Sequence, residues 1–327
     1  MLLSLACLGG CAGSRGAELT LVSFAVTRGA YEGIIPEFRR HWQQTHGQSV
    51  QIFASYGGSA AQTRAVIDGL DADVVALAMA LDVDRIVEAG DMDPDWREEF
   101  PFQSTVTRST VVIVTRPGNP KNIHTWADLT RPGITVITPN PKTSGGARWN
   151  FLAIWGSVTQ TGGSPEEALA LTRGIFEHVT VLPRDAREAA DVFFQKGQGD
   201  ALITYENEVL LARLRGQDLP YVIPEASISI DNPVAIVDAN VARKGNQEVA
   251  QAFVDFLFSP LAQREFAKVG FRPVNPEVAR EVADRFPPVK QLFTVEDLGG
   301  WQRVQQQFFA DGAIFDQIQT GLAASLG

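Results

Sequence analysis

A glycine-rich loop between a predicted strand and a predicted helix is the part of this chain best suited to chemistry. Residues 140–150 read NPKTSGGARWN and follow the β-branched run 134–138. The first N–H groups of a helix have no intrahelical partner, and the helix dipole places its positive end at the same point. Gly145 and Gly146 carry no Cβ, so an oxyanion can approach those N–H groups, and the Ser144 hydroxyl adds a donor. The loop therefore predicts a site for a small anion that needs neither a catalytic side chain nor a metal.

The same arrangement occurs earlier in the chain. Residues 50–54 read as a strand, 55–59 are the loop SYGGS, and 60–68 read as a helix. Ser59 is the predicted N-cap, whose side-chain oxygen accepts from the new helix and leaves other N–H groups for a ligand. One Gly-Gly-Ser loop is usually only a turn, but two in matching contexts predict an anion held from two sides.

The elements that must position these loops alternate between strand-like and helix-like runs, which predicts an α/β fold. The extended runs 109–115 and 232–238 lie far apart in sequence and would serve as paired crossovers between two lobes. We therefore predict that residues 19–108 and 238–327 form lobe 1 and that 109–237 form lobe 2. The cleft between the lobes is where a ligand is expected to bind.

Composition limits the partners of this chain. With 327 residues and 45% hydrophobic content, it is long enough for two domains. Its formal net charge of −10 disfavours binding to nucleic acid and to anionic membrane surfaces. An acidic protein that binds an anion must use local dipoles. After the leader the sequence has no run of about 18 apolar residues, so it predicts no membrane span.

The N-terminus resembles an export leader. Both cysteines, Cys7 and Cys11, lie there, so the body of the chain has no disulfide, cysteine metal site or thiol nucleophile. Residues 1–18 are interpreted as an export signal and tether, and 8–11 (LGGC) resemble a lipoprotein signal box in which Cys11 is lipidated. A frayed terminus without function is the alternative.

Catalysis has little support. The four histidines have no ligand-like spacing, so no metal site is predicted; they are His41, His46, His124 and His178. Neither Ser59 nor Ser144 has a histidine placed in sequence to act as its base. No catalytic residue and no cofactor is predicted.

Several segments of the sequence resemble signatures of a known family. Residues 140–150 resemble a signature of the periplasmic sulfate-binding proteins of ABC importers, and 55–59 with 65–75 resemble a second one. The similarity continues through 118–121, 200–208 and 271–273 and covers nearly everything after the leader. It implies a two-lobed periplasmic binding protein of the type II fold that closes on dehydrated sulfate. It also implies a monomeric periplasmic carrier that serves an ABC permease with a cytoplasmic ATPase. Lipidation of Cys11 would anchor this carrier to the membrane.

The resemblance also implies the ligand's partners. Backbone N–H groups would come from Ala25, Ser59, Gly145, Gly146 and Ala186, and hydroxyl groups from Ser144 and Tyr205. Tyr205 stands where family members carry a tryptophan, and Ala25-Val26 stands where some carry Asp-Pro, which resembles the cyanobacterial-type branch. Five basic residues lie near these loops: Arg28, Lys142, Arg148, Arg184 and Arg187. The resemblance favours bracing of the loops over direct neutralisation of sulfate, with Arg148 and Arg187 the best candidates.

Sulfate suits a site lined only by donors, because at neutral pH all its oxygens accept hydrogen bonds. Phosphate usually carries a proton and needs an acceptor, whose absence costs about 1–3 kcal/mol. Asp185 is expected to point outward, away from the ligand. Thiosulfate is a close alternative ligand, and an oxyanion sensor or an enzyme on the same fold is the alternative of a different class.

Overall fold

The computed structural model of this protein describes residues 16–326. The strands are β1 (Ala17–Phe24), β2 (Val50–Gly57), β3 (Val74–Ala76), β4 (Thr105–Thr115), β5 (Val136–Ile137), β6 (Val179–Val181), β7 (Ala201–Tyr205), β8 (Tyr221–Val222), β9 (Ala226–Ile236), β10 (Arg272–Pro273) and β11 (Gln291–Phe293). Residues 1–15, with Cys7 and Cys11, lie outside the described residues. Ala17 and Glu18, which the sequence assigned to the tether, are instead the first residues of β1.

Helices separate most of these strands, so the α/β prediction is confirmed. They are α1 (Arg28–His46), α2 (Ser59–Ile67), α3 (Ala80–Glu88), α4 (Gly145–Thr159), α5 (Pro165–Phe176), α6 (Ala186–Phe194), α7 (Glu206–Leu214), α8 (Asp238–Lys244), α9 (Gln247–Leu257), α10 (Pro260–Lys268), α11 (Pro276–Glu281), α12 (Gly300–Val304) and α13 (Ile314–Leu326). Within the described residues, no helix is both long and apolar enough to cross a membrane.

The sheet follows the order β2-β1-β3-β9-β4-β7-β5-β6. Strand β1 is parallel to β2 and β3, and β5 is parallel to β6 and β7. The two long strands β4 and β9 are antiparallel to each other and join these halves, because β9 also pairs with β3 and β4 also pairs with β7. These are the two extended segments expected to connect the lobes, and both begin earlier than the sequence suggested.

Helix α4 is buried along most of its length. Every residue from Gly145 to Gly156 is buried, which is typical of a helix covered on all sides. Its aromatic side chains contact the C-terminal segment: Trp149 packs against Trp301, and Phe151 against Phe308.

This packing corrects the predicted place of the C-terminal residues. The segment 291–326, which the sequence assigned to lobe 1, packs on helix α4 of predicted lobe 2, and Lys142 forms an ion pair with Asp316 at 2.8 Å. Burial of the aromatic faces on both segments accounts for the contact. The remaining lobe boundaries stay predictions.

Candidate functional site

Four helical segments begin at the wall of one small cavity. A 3₁₀ turn starts at Ala25, and helices α2, α4 and α6 start at Ser59, Gly145 and Ala186. The cavity is small, with a volume of about 10 Å³, so it admits a ligand of only a few atoms. Its wall consists of Phe24, Ala25, Val26, Gly57, Gly58, Ser59, Ala78, Ser144, Gly145, Gly146, Asp185, Ala186 and Tyr205. All seven residues predicted to contact the ligand therefore lie together.

The helix starts supply the donors. The first N–H groups of each helix have no acceptor within their own helix, and the dipoles place partial positive charge at the same ends. In α4 the N-cap Ser144 accepts from the N–H of Ala147 at 3.3 Å. The Ser144 oxygen thus serves the helix, while its hydrogen remains able to serve a ligand. The wall can hold an anion with N–H and O–H groups.

Ser59 is not the N-cap that the sequence predicted. Gly58 occupies that position, and Ser59 is the first residue of α2. Its hydroxyl donates to Asp82 Oδ2 at 2.6 Å and accepts from Ala78 N at 2.9 Å. The side chain therefore ties α2 to the residues after β3, and the backbone N–H is the group that Ser59 can offer to a ligand.

Asp82 is a residue that sequence reasoning missed. It is completely buried, and this burial raises the pKa of its carboxyl group, while Arg148 and the Ser59 hydroxyl act to lower it. An aspartate in the first turn of a helix is ordinary in sequence, so only the long-range contact with Ser59 identifies it.

The two glycines of α4 permit close approach of neighbouring groups. A Cβ at Gly145 would lie 2.6 Å from Ala78 Cβ and 2.7 Å from Met79 Cε, on the facing segment after β3. A Cβ at Gly146 would lie 2.8 Å from Tyr205 Cε2. Larger residues at either position would keep the walls of the cavity apart.

Tyr205 contributes a buried hydroxyl group that has no hydrogen-bond partner in the described part of the chain. Burial, with further contributions from Asp82 and Glu208, raises the pKa of this phenol well above its ordinary value. The group therefore stays protonated at neutral pH and can donate. A buried hydroxyl group in the wall of a cavity, without a partner in the described part of the chain, is available to a ligand that accepts hydrogen bonds.

Positive side chains stay outside the cavity. Among residues 16–324, no lysine or arginine forms part of its wall. Arg148 is buried and donates to the carbonyl oxygen of Pro141 at 3.0 Å and to Gln305 at 3.1 Å. It therefore braces the loop that precedes α4.

Arg187 connects two segments beside the cavity. It forms an ion pair with the buried Glu208 at 3.0 Å and donates to the carbonyl oxygen of Val26 at 3.4 Å. Burial raises the pKa of Glu208 to about 7, although Arg187 acts in the opposite direction. The contact holds the 3₁₀ turn at Ala25 against α6.

The expectation that Asp185 points outward is wrong. Asp185 is buried in the cavity wall, because it is the N-cap of α6 and accepts from the N–H of Glu188 at 2.9 Å. Its other oxygen lies 3.6 Å from Arg184 Nε. One carboxylate therefore adjoins a site otherwise lined by donors.

The wall offers no pair of groups for nucleophilic catalysis. Among residues 16–324 it contains no histidine, and each of its two serine oxygens already accepts from a backbone N–H group, that of Ala78 for Ser59 and that of Ala147 for Ser144. Within residues 16–324 no cluster of three or more metal-ligating side chains occurs. The chemistry that this geometry supports is reversible binding of a small anion.

Comparison with known proteins agrees with this geometry. Residues 19–272 match the family described as "Bacterial extracellular solute-binding protein". The "Sulfate-binding protein" of Synechococcus elongatus is 54% identical over 94% of this chain and 87% of its own length. The "Thiosulfate-binding protein" of Pseudomonas aeruginosa is 39% identical over 91% of this chain and 90% of its own. The structure of "The sulfate-binding protein SubI from Mycobacterium tuberculosis H37Rv" superposes with a TM-score of 0.83 at 41% identity, covering 90% of this chain and 99% of that one.

Proposed function

The chain belongs to the bacterial extracellular solute-binding protein family, and from this premise we propose that it captures sulfate and delivers it to an ABC importer. The high identity with a sulfate-binding relative supports this ligand. The delivery step would involve a membrane permease and its cytoplasmic ATPase, with the protein acting as a periplasmic monomer. Lipidation of Cys11 would keep it at the membrane.

The observation that carries the proposal is a cavity walled by helix starts and hydroxyl groups, without a lysine or arginine in the wall among residues 16–324. Sulfate is a dianion at neutral pH and only accepts hydrogen bonds. Ala25, Ser59, Gly145, Gly146 and Ala186 would donate through N–H groups, and Ser144 and Tyr205 would donate through hydroxyl groups. Several such charge-assisted hydrogen bonds together replace the water that the ion gives up.

Thiosulfate is the second candidate, because a relative that matches most of this chain is a thiosulfate-binding protein. Thiosulfate replaces one oxygen of sulfate by sulfur, which is larger and a weaker hydrogen-bond acceptor. The walls are close together, since a Cβ at Gly145 would lie 2.6 Å from Ala78 Cβ. The larger sulfur atom would fit less well there, so we expect sulfate to bind more tightly than thiosulfate. An enzyme would convert its ligand, whereas the proposed carrier returns it unchanged.

Calorimetric titration tests the proposal. The leaderless protein is dialysed exhaustively and titrated at neutral pH with sulfate, thiosulfate, molybdate and phosphate. We expect sulfate to bind with a dissociation constant of about 1 μM or lower, near −8 kcal/mol. Phosphate should bind more weakly, because the two oxygens of Asp185, the one carboxylate beside the site among residues 16–324, already face Glu188 N and Arg184 Nε. Stronger binding of thiosulfate than of sulfate would support the second candidate, and silence with all four ions would exclude both.

A further inference from the structure

An ion pair joins the two predicted lobes next to a residue of the cavity wall. Arg272 of β10 donates to Glu206 of α7 through two hydrogen bonds, from Nε to Oε2 at 2.7 Å and from Nη2 to Oε1 at 3.0 Å. Nη2 also donates to the carbonyl oxygen of Pro287 at 2.8 Å. A bidentate pair fixes the orientation of its two groups as well as their distance. Arg272 is therefore anchored in its own segment and holds the start of α7 in one arrangement.

The pair lies where strand β4 changes its partner. Strand β10 pairs with β4 through Arg272 and Arg108, and β7 pairs with it from Val111 onward. Tyr205 is the last residue of β7 and is the partner of Val111 in that pairing. Glu206 is the next residue and begins α7. The ion pair therefore acts at the point where the chain leaves the sheet directly after Tyr205.

Close backbone packing supports the same junction. Gly270 has a φ of +93°, and a Cβ there would lie 2.9 Å from Asn207 Cα and 3.1 Å from the Asn207 carbonyl oxygen. Asn207 follows Glu206 in α7 and is completely buried. The first turn of α7 thus touches the segment before β10 with its backbone, so the ion pair holds two elements that are already in contact.

The position of the Tyr205 hydroxyl depends on its backbone. Among residues 16–324 this hydroxyl has no hydrogen-bond partner, so no polar contact holds that end of the side chain. The ring packs against Gly146 and lies 6.3 Å from the ring of Phe24, centre to centre. A hydrogen bond from the phenol to an anion needs an O···O distance of about 2.5–3.0 Å. A small shift of the backbone at residues 205 and 206 would therefore change whether the phenol can donate.

We propose that Arg272 is a positioning residue for sulfate capture: it holds Glu206, which fixes the backbone at Tyr205 and places the phenol hydroxyl within reach of the bound ion. This inference rests on the proposed function. Arg272 acts through Tyr205, since Arg272 itself forms no part of the cavity wall. Glu206 is completely buried, and a buried carboxylate is strongly destabilised without its partner, so Glu206 stays with Arg272. Residues that support a direct contact in this way determine how precisely it is placed.

Calorimetric titration of Arg272→Lys with sulfate, with and without Tyr205→Phe, tests the positioning role. Lysine keeps the positive charge beside Glu206 and cannot form the bidentate pair. We expect the dissociation constant for sulfate to rise about fivefold in Arg272→Lys. In the Tyr205→Phe background the same substitution should leave the dissociation constant unchanged, because no hydroxyl remains to be placed.

Two further variants give the opposite side of the pair and the control. Glu206→Gln removes the carboxylate charge with little change of shape and should show the same dependence on the Tyr205 hydroxyl. Arg264 also forms a bidentate pair, with Glu281, and neither residue belongs to the cavity wall. Arg264→Lys should therefore bind sulfate as the unaltered protein does, in both backgrounds.

Equal losses of affinity with and without the Tyr205 hydroxyl would overturn the positioning role, because Arg272 would then support the protein in a general way. Unchanged affinity in both Arg272→Lys and Glu206→Gln would overturn it too. If Tyr205→Phe alone bound as tightly as the unaltered protein, the positioning role would fall and sulfate capture would stand. Failure of the unaltered protein to bind sulfate would instead remove the proposed function, and this inference with it.

Discussion

The indole Nε1 of Trp149 donates to the carbonyl oxygen of Ala78 over 2.8 Å, which joins helix α4 to the segment after β3. Ala78 belongs to the wall of the anion cavity, and α4 begins with two other wall residues, Gly145 and Gly146. The hydrogen bond therefore fixes two walls of the cavity relative to each other.

Trp149→Phe keeps an aromatic ring against Trp301 and removes this donor. Asn232 also donates to the Ala78 carbonyl, at 3.1 Å, so the oxygen keeps one partner. We expect sulfate binding to weaken roughly fivefold, or about 1 kcal/mol, by calorimetry. Trp126→Phe is the matched control, because that indole donates to Ala226, outside the cavity wall. Equal affinity losses in both variants would point to a general loss of stability.

Gly145→Ala should prevent the close approach of α4 to Ala78. The added methyl group would lie 2.6 Å from Ala78 Cβ, where neither atom can move without its backbone. We expect at least a tenfold loss of sulfate affinity with the circular dichroism spectrum retained. Gly321→Ala, on α13, meets no atom closer than 3.9 Å and should bind normally. Unchanged affinity in Gly145→Ala would show that sulfate binding does not depend on the close approach of α4 to Ala78.

Tyr205→Phe removes the unpaired hydroxyl from the cavity. A hydrogen bond to a charged group contributes about 1.5–3 kcal/mol, so affinity should fall roughly tenfold to a hundredfold. Stability without ligand should not fall, because that hydroxyl has no protein partner within residues 16–324. Tyr31→Phe is the control, since it also removes a buried unpaired hydroxyl but lies outside the cavity wall. Should the Tyr205 variant bind as tightly as the Tyr31 variant, the phenol does not donate to the ion.

Asp185→Asn should strengthen sulfate binding severalfold. Asparagine is also a good N-cap, so α6 keeps its first turn while the negative charge beside the anion disappears. Calorimetry would measure the gain, with Glu188→Gln as a control for loss of a nearby charge outside the cavity wall. No gain would mean that the carboxylate lies too far from the bound ion to oppose it.

Stability should depend on pH through Glu208. Its folded-state pKa of about 7 lies above the ordinary value of 4.5, so the folded protein binds this proton more tightly than the unfolded chain. The free energy of unfolding should therefore fall as pH rises from about 4.5 to 7, by up to about 1.4 kcal/mol per pH unit. Denaturant titrations across this range should show a smaller slope in Glu208→Gln. Identical slopes in the two proteins would contradict the raised pKa.

The parts of the site that depend on neighbouring residues were predictable from the sequence. The loops before α2 and α4 combine glycine pairs, a preceding strand and a following helix, and such local patterns carry their own geometry. One detail of these loops was predicted wrongly: Ser59 is the first residue of α2, and Gly58 is its N-cap.

Contacts between distant segments were not predictable in the same way. The Ser59–Asp82 and Trp149–Ala78 hydrogen bonds join residues with no recognisable spacing, and the C-terminal aromatic residues gave no sign of packing on α4. Asp185 was placed wrongly because a capping aspartate and a solvent-facing one look alike in sequence.

A crystal structure of the dialysed protein with sulfate would show directly whether backbone N–H groups hold the ion. We expect sulfate oxygens about 2.7–3.2 Å from the backbone nitrogens of Ser59, Gly145, Gly146 and Ala186, with no arginine or lysine in contact. A sulfate ion held outside the cavity by Arg28 or Arg187, with the cavity filled by water, would contradict this expectation.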